Sequence, residues 1–134
     1  MPVDDLRNSG MMAHLLDSLD AGKDIGHYGR LVFAMVARHF ISEDELLEYL
    51  QKSPAFSEAE ARALIRQVQG RDYNPPRRER ILEWSRQQEF PICPNPDDPD
   101  ACNVYKDLKF PDEVYESIQQ YQEKKAEAKE ENAA

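Results

Sequence analysis

The sequence predicts an all-α protein, a compact bundle of about six helices with one Pro-rich loop and a charged C-terminal tail. Three observations carry that prediction. Apolar residues recur at helical spacing along several segments. Two Ser-x-x-Glu capping boxes open such segments. No strand-like alternation of useful length and no self-similarity at a fixed period is present, so helix-on-helix packing is the economical architecture. A chain of 134 residues suits one core. Residues 1–120 read as one helical domain and 121–134 as a charged, solvated tail. With 40% apolar and 32% charged residues, the chain can bury a core and still solvate its exterior, which excludes wholesale disorder.

Taken in order, Leu6, Met11, Met12, Leu15, Leu16 and Leu19 mark one face of a first amphipathic helix ending near Gly22. From His27 to Phe40 the run through Leu31, Val32, Phe33, Ala34, Met35, Val36 and Ala37 is apolar on every side, which suits a central helix surrounded by others. A buried strand is the competing assignment, and length with Ala and Met content favours helix. Ser42 with Glu45 opens a helix carrying Leu46, Leu47, Tyr49 and Leu50. Ser57 with Glu60 opens another, with Ala61, Leu64, Ile65 and Val68 on one side and a stop at Gly70, where a residue tolerating positive φ is comfortable. Asp72-Tyr73-Asn74-Pro75-Pro76 reads as an extended turn, with Pro76 able to take a first helical position. The helix after it carries Ile81, Leu82 and Trp84 to about Glu89. Four prolines between Phe90 and Asn103 are too dense for regular structure. A last helix follows Pro111, with Val114, Tyr115, Ile118 and Tyr121.

Charge narrows the function classes. A net charge of −9 argues against unassisted, nonspecific nucleic-acid binding, which rests on Lys and Arg neutralising phosphates. Any basic surface must be local. No stretch reaches the length of a membrane span, and the first residues lack the pattern of a secretory leader, so a cytoplasmic protein without membrane contact is expected. Cys93 and Cys102 alone support neither a disulfide-stapled secreted fold nor a complete four-ligand metal site. A Gly-rich phosphate loop, a His-Glu-x-x-His zinc signature and a nucleophile elbow are all missing, which disfavours a self-sufficient enzyme. Asp97, Asp98 and Asp100 lack the glycine and distal glutamate of an EF-hand loop.

Two places could hold chemistry. His27-Tyr28-Gly29-Arg30 opens the apolar helix and sets an imidazole and a guanidinium one turn apart on one face, where helix amides, an Arg fork and a His donor could hold a phosphate. The competing assignment has His27 capping or packing and Arg30 pairing with a neighbouring acid. Arg71, Arg77, Arg78, Arg80 and Arg86 form the one basic patch, against Asp72, Glu79 and Glu83. Tyr73 and Trp84 within it could stack a base or hold a single strand. A surface helix with internal Glu–Arg pairs and a core Trp is the alternative. His14 and His39 lack a ligand-like partner at a fixed interval and are assigned no role.

The order of these features resembles the C-terminal domain of the archaeal and eukaryotic primase large subunit, over about Met11 to Ile118. His27-Tyr28-Gly29-Arg30 is similar to that family's His-x-x-Arg helix, and Ile41-Ser42-Glu43-Asp44-Glu45-Leu46 to its next helix start. Pro54-Ala55-Phe56 falls at its Pro-Asp-Phe, and Asp72-Tyr73-Asn74-Pro75-Pro76 at its Tyr-x-Pro-Pro-Ser-Cys turn. Cys93 and Cys102 take the last two of four cysteine positions, with Pro111 and Tyr115 near the closing Pro and Tyr. The other two cysteine positions hold Asn8-Ser9-Gly10 and Arg77-Arg78, so the chain looks like a cluster-free accessory subunit with two relict cysteines.

The resemblance implies a noncatalytic accessory domain that positions an initiating nucleotide triphosphate and a single-stranded template, with catalysis in a partner primase or primase-polymerase subunit. By matching position, His27 and Arg30 become phosphate contacts and Tyr28 adds stacking; Arg77 and Arg78 are this reading's own addition as strand contacts. No cofactor is expected, an iron–sulfur cluster being possible only with ligands from outside the chain. The alternative function is a protein–protein assembly subunit that kept the helical fold and lost nucleic-acid binding. A third is a redox or metal-linked module in which Cys93 and Cys102 pair or join outside ligands.

Overall fold

The computed structural model describes residues 2–70 and 74–119. Arg71, Asp72, Tyr73 and the 121–134 tail, on which several of the expectations above fall, lie outside the described residues. Among the described residues there are eight helices and no strand, as the fold class requires. They are α1 (Pro2–Leu6), α2 (Gly10–Asp20), α3 (Gly26–Ala37), α4 (Glu43–Leu50), α5 (Glu58–Gly70), α6 (Arg78–Arg86), α7 (Val104–Asp107) and α8 (112–119).

The expected first helix is two. Arg7, Asn8 and Ser9 donate their amides three residues back in a tight turn. The Ser9 hydroxyl then accepts from Met12 N–H at 3.3 Å and starts α2 afresh. Leu6 is nonetheless fully buried with the α2 leucines, so the apolar spacing continues across a break it does not reveal. At the far end Lys23 N–H bonds Ser18 C=O and Gly22 N–H bonds Leu19 C=O, with Gly22 at φ 71°: a Schellman stop.

Helix α3 packs against α2, α4, α5 and α6. Every residue from Leu31 to Ala37 is buried, which explains its all-round apolar sequence. It ends at Ala37 rather than Phe40, because His39 and Phe40 donate three residues back and tighten the last turn. Both capping boxes form: Ser42 and Glu45 exchange backbone and side-chain hydrogen bonds at 3.2 Å, and Ser57 and Glu60 do so at 3.3 and 3.1 Å. The core faces of α4 and α5 are the expected leucines, Ala61, Ile65 and Val68. Gly70 is the last residue of α5 and does not carry the positive φ expected of a stop; that conformation appears at Gly22 and Gly26.

Two boundaries around α6 also shift. Its N-cap is Arg77, so Pro76 precedes the helix instead of opening it, and its last residue is Arg86 rather than Glu89. The Pro-rich segment after it is ordered by side chains. Ser85 accepts Ile92 N–H at 3.0 Å, Ile92 and Cys93 are buried, and Cys93 is disulfide-bonded to Cys102. The four-residue α7, absent from the sequence prediction, follows at once and buries Val104.

Candidate nucleic-acid interface

The start of α3 is built by groups distant in sequence. Asp24 Oδ1 accepts Gly26 N–H at 2.9 Å and the Arg30 guanidinium at 3.0 Å. Sixty residues on, the Gln88 amide accepts Tyr28 N–H at 3.0 Å and donates to Ile25 C=O at 2.8 Å and Phe90 C=O at 3.0 Å. Gly26 permits this approach: its φ is 78°, and an added Cβ would lie 2.4 Å from the Gln88 oxygen. The Gly26 and Tyr28 amides, expected to face an incoming anion, are therefore satisfied within the chain.

His27 is exposed and Arg30 is 16% exposed, and both line one surface pocket of about 240 Å³ with Phe56, Glu60, Leu64 and Gln67. The two side chains thus converge. The Arg30 guanidinium lies 4.5 Å from the Phe56 ring centroid, donates to Ser53 at 3.2 Å and pairs with Asp24, the neighbouring acid of the competing assignment. Its Nε is buried without a hydrogen-bond partner. Asp24 is 65% exposed, so its ion pair with Arg30 is a weak one, and Ser53 and Phe56 also contact the guanidinium.

Aromatic rings extend this surface toward α6. His27 meets Tyr28 edge-on at 5.3 Å, Tyr28 stacks on Trp84 at 5.6 Å, and Arg80 lies 5.8 Å from the Trp84 ring. Trp84 is half-buried on this surface rather than a core residue, and it lines a second cleft with Pro76, Arg77, Arg80 and Glu83. Arg80 and Glu83 form the long, exposed pair that the sequence suggested, at 3.8 Å.

The expected strand contacts divide. Arg77 is exposed, and its guanidinium makes no hydrogen bond or ion pair among the described residues. Arg78 donates to the carbonyls of Pro96, Asp98 and Ala101 at 2.9 to 3.1 Å, clamping the disulfide loop. Neutral carbonyls leave its positive charge uncancelled. Of the histidines given no role, His14 stacks on Phe90 and bonds Pro91 C=O, tying α2 to the loop. The functional neighbours that sequence reasoning missed are Asp24, Gln88, Ser53 and Phe56. Only Asp24, two residues before Gly26, left a local signal.

A four-thiolate cluster does not fit the residues present. The two sulfurs bond each other, Ser9 caps α2, and Arg77 and Arg78 stand at the start of α6. Among the described residues no group of three or more His, Cys, Asp or Glu is placed to hold a metal ion. No helix among them is long and apolar enough to cross a membrane.

Over 89 residues the chain is 29% identical to the DNA primase large subunit PriL of Thermoplasma acidophilum, an alignment covering 61% of this chain and 26% of that protein. The chain thus spans about a quarter of the length of the curated relative it matches. No family model matches, and no solved structure does. The similarity supports a relationship to primase large subunits.

Proposed function

We propose that the chain is a noncatalytic accessory domain of a primase or primase-polymerase, holding an initiating nucleoside triphosphate and the end of a single-stranded template–primer. One observation carries the reading: His27 and Arg30 share a surface pocket from which the Tyr28–Trp84 stack leads to Arg80 and Arg77. The similarity to a primase large subunit supplies the replication context. In this reading the triphosphate displaces the Asp24 carboxylate from Arg30, and His27 adds an imidazole donor. Nearby bases lie against the Tyr28 and Trp84 rings, whose faces accept any base. The chemistry belongs to a partner subunit. Holding two reactants together lowers the entropic barrier to their reaction, so such a domain controls initiation without supplying an acid, a base or a metal.

A second reading, an assembly subunit without nucleic-acid binding, draws on the α3 amides being satisfied internally and on Arg30 being paired. Fluorescence anisotropy with a labelled 5′-triphosphate primer–template separates the two. Salt-sensitive binding that is lost in a His27→Ala, Arg30→Ala double variant, folded by circular dichroism, supports the first. Absent or variant-independent binding abandons it in favour of the second.

A further inference from the structure

The cleft between the start of α6 and helices α7 and α8 has no part in the pocket just described. It holds about 510 Å³ and is lined by Arg77, Arg78, Glu79, Asn103, Tyr105 and Tyr115 among others. We infer that it is a second nucleotide subsite, taking one unit of a single strand with its base against the two tyrosines and its phosphate at Arg77. The inference deepens the proposed function and rests on it for the identity of the strand.

Four features converge on an anionic aromatic ligand. Tyr115, 39% exposed, is the one exposed large hydrophobic side chain among the described residues. Both phenols are anchored at their hydroxyls: Tyr105 donates to Pro75 C=O, and Tyr115 accepts Phe110 N–H at 3.1 Å. The rings are thus held in place before any base arrives, which spares the entropy of ordering them on binding. Among the described residues neither Arg77 nor Arg78 forms an ion pair, so two guanidinium groups face the single carboxylate of Glu79 in the described lining of the cleft. Arg77 also lines the neighbouring Trp84 cleft. One phosphodiester at Arg77 would therefore join a base on Tyr115 to a base on Trp84, the arrangement of a single strand crossing α6.

The test uses the full chain and two probes: an oligothymidylate of about ten nucleotides, within the span single-strand grooves cover, and a 5′-triphosphate dinucleotide. Tyr115→Ala and Arg77→Glu are each expected to weaken the oligonucleotide about five- to a hundredfold, the loss of one base stack or phosphate contact, and Tyr115→Ala to leave the dinucleotide unchanged. Tyr115→Phe keeps the ring and loses only its anchor, so its affinity should fall far less than that of Tyr115→Ala, which separates stacking from loss of the Phe110 contact. Wild-type affinity for the oligonucleotide in Tyr115→Ala overturns the inference, as does a wild-type chain that binds the dinucleotide alone. If the oligonucleotide depends on Tyr115 while the dinucleotide ignores His27 and Arg30, the subsite stands and the triphosphate pocket falls. A wild-type chain that binds neither probe removes both.

Discussion

Replacing Gln88 with Ala tests the contact that fixes the start of α3. Its amide makes three hydrogen bonds, to Tyr28 N–H, Ile25 C=O and Phe90 C=O, in a half-buried setting where water does not replace all of them. At a net ~1 kcal/mol each, with a further cost for groups left unsatisfied, the loss should be about 2–3 kcal/mol. No neighbour refills the space easily, because Gly26 has no side chain to contribute. Urea denaturation followed by far-ultraviolet circular dichroism reads this as a lower midpoint at unchanged slope. Gln88→Glu sharpens the test, since a carboxylate can accept from Tyr28 but would face two carbonyl oxygens it cannot bond. It should be no better than Ala. A loss below ~0.5 kcal/mol for Gln88→Ala, the range of an ordinary surface change, or wild-type stability for Gln88→Glu, would refute the bridging role.

Three further outcomes follow from single residues. Asp24→Asn keeps an acceptor for Gly26 N–H but removes the negative charge that pairs with Arg30; unfolding free energy should fall by less than ~1 kcal/mol, while triphosphate affinity in anisotropy rises, and a fall in affinity would contradict Asp24 as the group displaced. Ala55, exposed and held at φ 57°, pays for a left-handed conformation that glycine adopts freely, so Ala55→Gly should gain ~0.5–1 kcal/mol after its extra unfolded-state entropy is subtracted, read as a higher melting temperature. Burial pushes the Tyr105 phenol up to about 12 from an ordinary 10. Its folded value is the higher one, so the stability it contributes is complete below pH ~10 and is lost as pH rises toward ~12. Denaturant midpoints across that range should show the step in wild type and not in Tyr105→Phe, which loses about 1 kcal/mol at neutral pH with its bond to Pro75.

What was legible in the sequence was local. Ser42–Glu45 and Ser57–Glu60 announce their helices because both partners of each capping box lie within four residues. The all-round apolar run of α3 gives its central place, because only a helix packed on several sides can bury it. The break at Ser9 escaped because Leu6 and the α2 leucines belong to the same buried cluster on both sides of it. At the interface, one-turn spacing is enough to bring His27 and Arg30 to one pocket. The groups that tune them arrive from elsewhere: Gln88 and Trp84 from α6 and its end, Ser53 and Phe56 from the turn before α5. Arg77 and Arg78 look alike in sequence, and only the path of the Pro-rich loop makes one a carbonyl clamp and leaves the other exposed.

The central claim, that His27 and Arg30 form a phosphate seat, is tested most directly by comparing primer–templates that differ only in a 5′-triphosphate or a 5′-hydroxyl. The account predicts that the wild-type chain prefers the triphosphate, that rising salt erodes the preference, and that His27→Ala with Arg30→Ala abolishes it. Equal affinity of the wild-type chain for the two ends would contradict it.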